Sequence, residues 1–286
     1  MVKITEREET VRLLRGAHVV ELSVRIWEPE GSEKSLLCIH GFAANSWDFS
    51  VLAETMVKSG FTVIAPDMIG RGRSSFLGDP DAYSVRSYVT CIEAVSQFEK
   101  AEKYHLGTSW GGVILLAYLA STRWASRGIV LNDVFLESDE SVTKLRGMIA
   151  DEVNRAFPDR DAAEAHVLAT RNLEFLEGDR REAFLDNYIM QVNGAWRLRY
   201  DPAVTAHFDT RPNFSLLGMM SQLPVPTLMA YGRNSPYANS PHLDTLSKIN
   251  PRLTVLNDLD DGHPPSLMKP AQVLQIAGFL AQAHAA

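Results

Sequence analysis

Ser109 sits in the pentapeptide Gly107-Thr108-Ser109-Trp110-Gly111, with a further glycine at Gly112. The approach, Tyr104-His105-Leu106, is strand-like and apolar, and the run Val113–Ala120 that follows is almost wholly apolar, as a buried helix is. A serine in a tight strand-to-helix turn is pushed out of the sheet, with its Oγ facing a pocket. Such a turn demands unusual dihedrals and close backbone approach, which Gly107, Gly111 and Gly112 allow. The helix start also aims backbone N–H groups at the reacting centre. The chemistry implied is nucleophilic attack by a hydroxyl, and a serine hydroxyl needs an adjacent base to do it.

The elements that must position this serine can be read along the chain. Residues 11 to 28 predict two strands joined near Gly16 and Ala17. Leu36-Leu37-Cys38-Ile39 and Phe61-Thr62-Val63-Ile64-Ala65 are short continuous apolar runs, the pattern of strands buried on both faces. Residues 47 to 57 and 84 to 100 carry helical spacing, and Gly128-Ile129-Val130-Leu131 predicts another strand, ending at Asn132-Asp133. From about Phe135 to Gln222 no convincing buried strand is visible, and helical periodicity, charge runs and prolines dominate. Strand signals return at residues 226 to 231 and 253 to 256, before an amphipathic helix over 271 to 285. Short apolar strands alternating with helices predict a parallel sheet covered on both faces, with its site at the carboxyl ends of the strands.

The 286 residues are 45% hydrophobic and 22% charged, ordinary globular values for a chain able to bury a full core. A net charge of -7 argues against nucleic acid and anionic membrane as main partners. Cys38 and Cys91 lie in apolar runs and read as reduced core residues; no metal-ligand spacing exists and no cofactor is implied. The first ten residues are charged and do not read as a signal peptide, and no apolar run is long enough to span a bilayer. The expectation is a cytoplasmic protein; the oligomeric state, including a homo-oligomer, stays open.

Four features in order make the chain resemble the α/β-hydrolase family: His40-Gly41-Phe42, the turn Asp67–Ser74, the Gly107–Gly111 pentapeptide and Gly262-His263. The resemblance covers nearly the full chain outside the 135–222 stretch. It implies an α/β-hydrolase fold, a mostly parallel central sheet with helices on both faces. Residues 1–134 and 223–286 form the core, and residues 135–222 a helical cap insertion. The Asp67 segment lacks the third glycine of a dinucleotide fingerprint, and the resemblance makes it a structural turn. His263, after the last strand and before the last helix, is assigned as general base and then general acid. The oxyanion hole falls to the backbone N–H groups of Phe42 and Trp110, whose rings are read as walls of an apolar acyl pocket. His40 is read as a scaffold residue of the oxyanion turn. With Gly41, Met219 and Trp196 it completes the candidate pocket.

The sequence departs from the family at the third triad member. An aspartate is expected a few residues past Gly232, but Arg233-Asn234-Ser235-Pro236 stands there and no carboxylate occurs until Asp244. Either Asp133, at the end of the strand after the Ser109 helix, supplies the acid, or Asn234 or Ser235 orients His263 without charge. Asp133 is preferred, because only a carboxylate stabilises the imidazolium. Asp260 and Asp261 rank below it, being too near His263 in sequence to face it across the turn.

The cap stretch holds Leu145, Met148, Ile149, Phe157, Leu173, Phe184 and Tyr188, some to pack the cap and some to face the pocket. Met219-Met220 is placed at the pocket entrance. Trp196-Arg197-Leu198-Arg199-Tyr200 reads as a surface strand or turn rather than a carboxylate site. The expected activity is that of a serine hydrolase cleaving an ester, or a lactone, of a modest apolar acid. Its partner is that small molecule. One alternative is C–C hydrolysis of a dienoate-type diketone, with Arg197 or Arg199 holding the carboxylate. Another is a ligand-binding protein with a weakened triad. Related dehalogenases and epoxide hydrolases carry Asp where Ser109 stands, so the resemblance implies neither activity.

Overall fold

Apolar runs too short for helices fix the centre of the molecule. The structure, a computed structural model, describes residues 4–15, 18–206 and 213–285. In chain order the first half carries β1 (Ile4–Arg15), β2 (His18–Pro29), β3 (Lys34–Ile39), α1 (Ser50–Lys58), β4 (Phe61–Pro66), α2 (Val85–Val95), β5 (Glu102–Thr108), α3 (Trp110–Ser121) and β6 (Gly128–Asn132). The second half carries α4 (Glu140–Asn154), α5 (Arg160–Thr170), α6 (Gly178–Tyr188), β7 (Ile189–Val192), β8 (Ala195–Leu198), α7 (Leu217–Ser221), β9 (Thr227–Gly232), α8 (His242–Ile249), β10 (Leu253–Leu259) and α9 (Pro270–Ala285).

One eight-stranded sheet has the order β1-β2-β4-β3-β5-β6-β9-β10. It is parallel from β4 to β10, and β1 and β2 add antiparallel strands at one edge. Every residue of β4, β6 and β9 is buried, as continuous apolar strands between helical layers require. α1 packs on α9, and α2 on α3. Because the chain runs from β3 out to β4 and returns to β5 on the other side of β3, the loops after β3 and β5 part there. That is the switch point where open α/β sheets bind ligands. His40-Gly41-Phe42 and Ser109 leave the sheet at these two strand ends.

Several elements differ from the sequence reading. Residues 4 to 10, read only as charged, are strand. Their charges are met across the hairpin, by Arg7 on Glu28 and by Glu6 and Glu8 on Arg25, so the strand needs no apolar face to pair. Gly16 and Ala17 lie outside the described residues. The helix expected to reach residue 100 ends at Val95, followed by one 3-10 turn to Phe98. The stretch between β6 and β9 is mainly helical but contains the β7–β8 hairpin. Its two-residue turn, Asn193-Gly194, has φ of 51° and 82°, the left-handed pair a tight hairpin uses. Cys38 and Cys91 are buried free thiols.

Candidate active site

Ser109 has φ 50° and ψ −123°, a conformation that a non-glycine residue holds only when its surroundings impose it. They do. The Ser109 N–H donates to Asn132 O at 2.8 Å across the sheet, and α3 begins at the next residue. A side chain on Gly111 would lie 2.5 Å from the Ile39 carbonyl oxygen and closer still to that of His40. One on Gly107 would strike Gly112, and one on Gly112 would strike Val134. The glycines let the turn press against the β3 loop, and the pressure holds Ser109 up, only 7% exposed.

The structure brings Ser109, His263 and Asp133 into one hydrogen-bonded chain. Ser109 Oγ lies 3.1 Å from His263 Nε2, and His263 Nδ1 lies 2.9 Å from Asp133 Oδ1. Asp133 also has a left-handed φ, 55°, and its side chain is fully buried. Its Oδ1 accepts from Ser235 Oγ at 2.6 Å and its Oδ2 from Gly232 N–H at 3.0 Å. The loop after β9 therefore contributes donors to the carboxylate, and Ser235 faces Asp133 rather than the imidazole. Asn234 donates its N–H to Asp261 O. Asp261 itself organises the His263 loop, accepting from Gly262 N–H, Asn172 and Gln272. Burial pushes its carboxyl up, but these hydrogen bonds hold it below the ordinary value. The Tyr237 ring meets the His263 ring edge-on at 4.9 Å.

The β3 loop is braced from beneath. His40 is 3% exposed, with Nδ1–H donating to Gly41 O at 2.7 Å and Nε2 accepting from Met68 N–H at 3.0 Å. Burial first, then the nearby Arg71 charge, lower its pKa to about 3, so the ring stays neutral. Arg71 is buried too. Its Nε donates to Phe42 O at 3.1 Å, its Nη1 to Ile69 O and Tyr88, and its guanidinium lies 4.2 Å from the Phe42 ring. The Asp67 carboxylate takes Ser46 N–H and Arg73 N–H, tying the turn after β4 to the one after β3. Phe42 and Trp110, the expected oxyanion donors, stand on either side of the crevice: one in the β3 loop, the other first in α3.

A cavity of about 500 Å³ opens over Ser109 and His263. Gly41 and Phe42 line it, with Leu145, Met148, Ile149 and Leu173 from the segment between β6 and β9. Other expected pocket residues do not. His40 is behind the loop it braces, and the Trp110 ring packs on Phe214. Met219 and Met220 belong to α7, where Met220 is wholly buried in the core. Trp196, with Arg199, borders a separate surface cleft beside Arg73 and Arg160. Arg197 donates to Asn154 O. The charged residues that do reach the Ser109 cavity, Asp48, Asp151, Glu152, Arg155 and Arg171, carry no sequence pattern that marks them. Among the described residues no group of three His, Cys, Asp or Glu side chains is placed to hold a metal. None of their helices is long and apolar enough to cross a membrane.

A family model for the alpha/beta hydrolase fold matches residues 34–270. The chain is 23% identical over 275 residues to a 3-hydroxybutyrate-oligomer hydrolase of Cupriavidus necator, covering 92% of this chain and 94% of that protein. It is 26% identical over 250 residues to a proline iminopeptidase of Lactobacillus helveticus, covering 78% and 83%. The structure of an alpha/beta hydrolase from Novosphingobium aromaticivorans superposes with a TM-score of 0.76 at 22% identity, covering 98% of this chain and 99% of that one.

Proposed function

The chain belongs to the alpha/beta-hydrolase family, and on that premise we propose that it is a serine hydrolase that cleaves a carboxylic ester or lactone through an acyl-enzyme on Ser109. The observation that carries this reading is the Asp133–His263–Ser109 hydrogen-bonded chain at the floor of the cavity. Ser109 Oγ attacks the carbonyl carbon and its proton passes to His263 Nε2. Asp133 faces the charge that the imidazole gains and fixes its orientation. The oxyanion takes N–H groups of Phe42 and Trp110. Collapse expels the alcohol, which leaves with the proton from His263. Water then gives a proton to His263 and attacks the acyl carbon, and the acid departs as Ser109 regains its proton. In this reading residues 135–222 are the cap, whose apolar side chains shape the acyl pocket. The small-molecule ester is the partner, and the site is in the cytoplasm.

One relative is named as an oligomer hydrolase and the other as an iminopeptidase, so the comparison supports hydrolysis more strongly than any one substrate. The binding-protein alternative rests on the missing carboxylate after Tyr231, and the Asp133–His263 contact takes that motive away. The C–C hydrolase alternative loses its anchors, since Arg197 and Arg199 do not line the cavity. Labelling with a fluorophosphonate probe tests the proposal. Rapid labelling of the wild type that is lost in Ser109→Ala is expected. Folded wild type that stays unlabelled would overturn it.

A further inference from the structure

The Ser109 cavity is apolar over most of its wall, yet Asp48 faces it from the short turn Ser46–Phe49, just past the Phe42 loop. Asp48 Oδ1 accepts the Tyr188 hydroxyl proton. Among the described residues its Oδ2 has no hydrogen-bond partner, and it is not sealed from the cavity. Arg171 and Glu152, the other charged groups deep in this wall, pair through Glu152 Oε1. Arg171 donates to Ala43 O at 2.9 Å, Glu152 Oε1 at 3.0 Å, Tyr200 OH at 2.8 Å and Thr170 Oγ1 at 2.7 Å. Its guanidinium also lies 4.5 Å from the Tyr188 ring. Glu152 is held by Arg171, with His166 at 3.6 Å.

Resting on the serine-hydrolase reading above, we propose that Asp48 docks a hydroxyl group of the substrate, so that the preferred substrates are hydroxylated esters. A carboxylate oxygen that faces the cavity with no partner among the described residues is an acceptor for a substrate donor. Arg155 and Arg171 border the same space, and so do Asp151 and Glu152, a mixed set of charges that does not single out a cationic group. A hydroxyl suits the site in either protonation state. Burial pushes the Asp48 carboxyl up to about 7, against the Tyr188 hydrogen bond and the Arg171 charge and with help from Asp67. A carboxylate accepts from the hydroxyl, and a carboxylic acid donates to it.

The test compares methyl hexanoate with methyl 3-hydroxyhexanoate, methyl 6-hydroxyhexanoate and 2-hydroxyethyl hexanoate, which move the hydroxyl along the acid and onto the alcohol. At least one hydroxylated ester should exceed methyl hexanoate in kcat/KM by about tenfold, a difference of about 1.4 kcal/mol. Asp48→Leu should bring that ratio to about one. Asp48→Asn, which keeps an acceptor for Tyr188 and an uncharged polar group towards the cavity, should retain part of it and serves if the leucine variant does not fold. Equal kcat/KM for all four esters in the wild type overturns the proposal, as does a preference that survives in Asp48→Leu. Silence towards all four with intact fluorophosphonate labelling overturns this substrate class alone. Silence without labelling overturns the hydrolase reading with it.

Discussion

Ser235 Oγ lies 2.6 Å from Asp133 Oδ1, the same oxygen that meets His263 Nδ1 at 2.9 Å. The loop that lacks a carboxylate thus still serves one, supplying a hydroxyl and the Gly232 N–H to an aspartate carried by the neighbouring strand end. An aspartate so supplied with donors is held in place.

Asp133→Asn keeps the shape of this site and removes its charge. Ester turnover should fall by about 10³- to 10⁴-fold in kcat, the scale of the acid-to-amide change in a serine protease whose triad works by the same logic. Steady-state kinetics with a short-chain ester checks it. A loss under tenfold would mean that another group orients His263.

Ser235→Ala removes one donor to a fully buried carboxylate but leaves Gly232 N–H in place. Thermal or urea unfolding should show a loss of about 1–3 kcal/mol. The kcat should fall far less than in Asp133→Asn. Equal losses in the two variants would show Ser235 to be as necessary as the acid itself.

Gly111→Ala forces a Cβ onto the backbone carbonyls of Ile39 and His40, which cannot rotate away as a side chain could. The variant should lose about 3 kcal/mol or more, or fail to fold. Gly218→Ala, where the added Cβ would meet none of the described residues within 4 Å beyond its own chain neighbours and helix turn, is the control and should stay near wild type in unfolding experiments.

Asp48 and His40 oppose each other in the pH dependence of stability. Burial lowers His40 to about 3, so the unfolded chain takes a proton that the folded one refuses, and stability falls as pH drops below about 6.5. Asp48 is raised to about 7, so the folded chain keeps a proton that the unfolded one releases above about 4. Its contribution is lost as pH rises from about 4 to about 7. Asp48→Asn should therefore gain on the wild type across that window and hold a constant lead above it. The lead should be on the order of 2–4 kcal/mol. Urea unfolding at pH 4, 6 and 8 reads the gap, and a lead that does not change with pH would refute the assignment.

Local sequence was enough for the parts whose causes are local. The glycine spacing around Ser109 marks a tight turn because Gly107 and Gly112 approach each other within it, although Gly111 and Gly112 also clear Ile39, His40 and Val134 from elsewhere in the chain. Short apolar runs give β3, β4, β6 and β9, β5 follows from its place before the Ser109 turn, and the charged edge strand escapes that logic because its partners are charges on β2. The Asn193-Gly194 hairpin was not read from the sequence, because its two short strands lie in a stretch dominated by helical periodicity. What the chain alone could not decide is which group meets His263. Asp133 is the preferred candidate from sequence, but the contact spans 130 positions and exists because β6 pairs with β9, so that both strand ends open on the same crevice. Asp48 and Arg171 reach the cavity only through the way α5 and α6 fold back over the β3 loop. Strand neighbours and helix placement are set by packing of the whole core, and no spacing within a short segment encodes them.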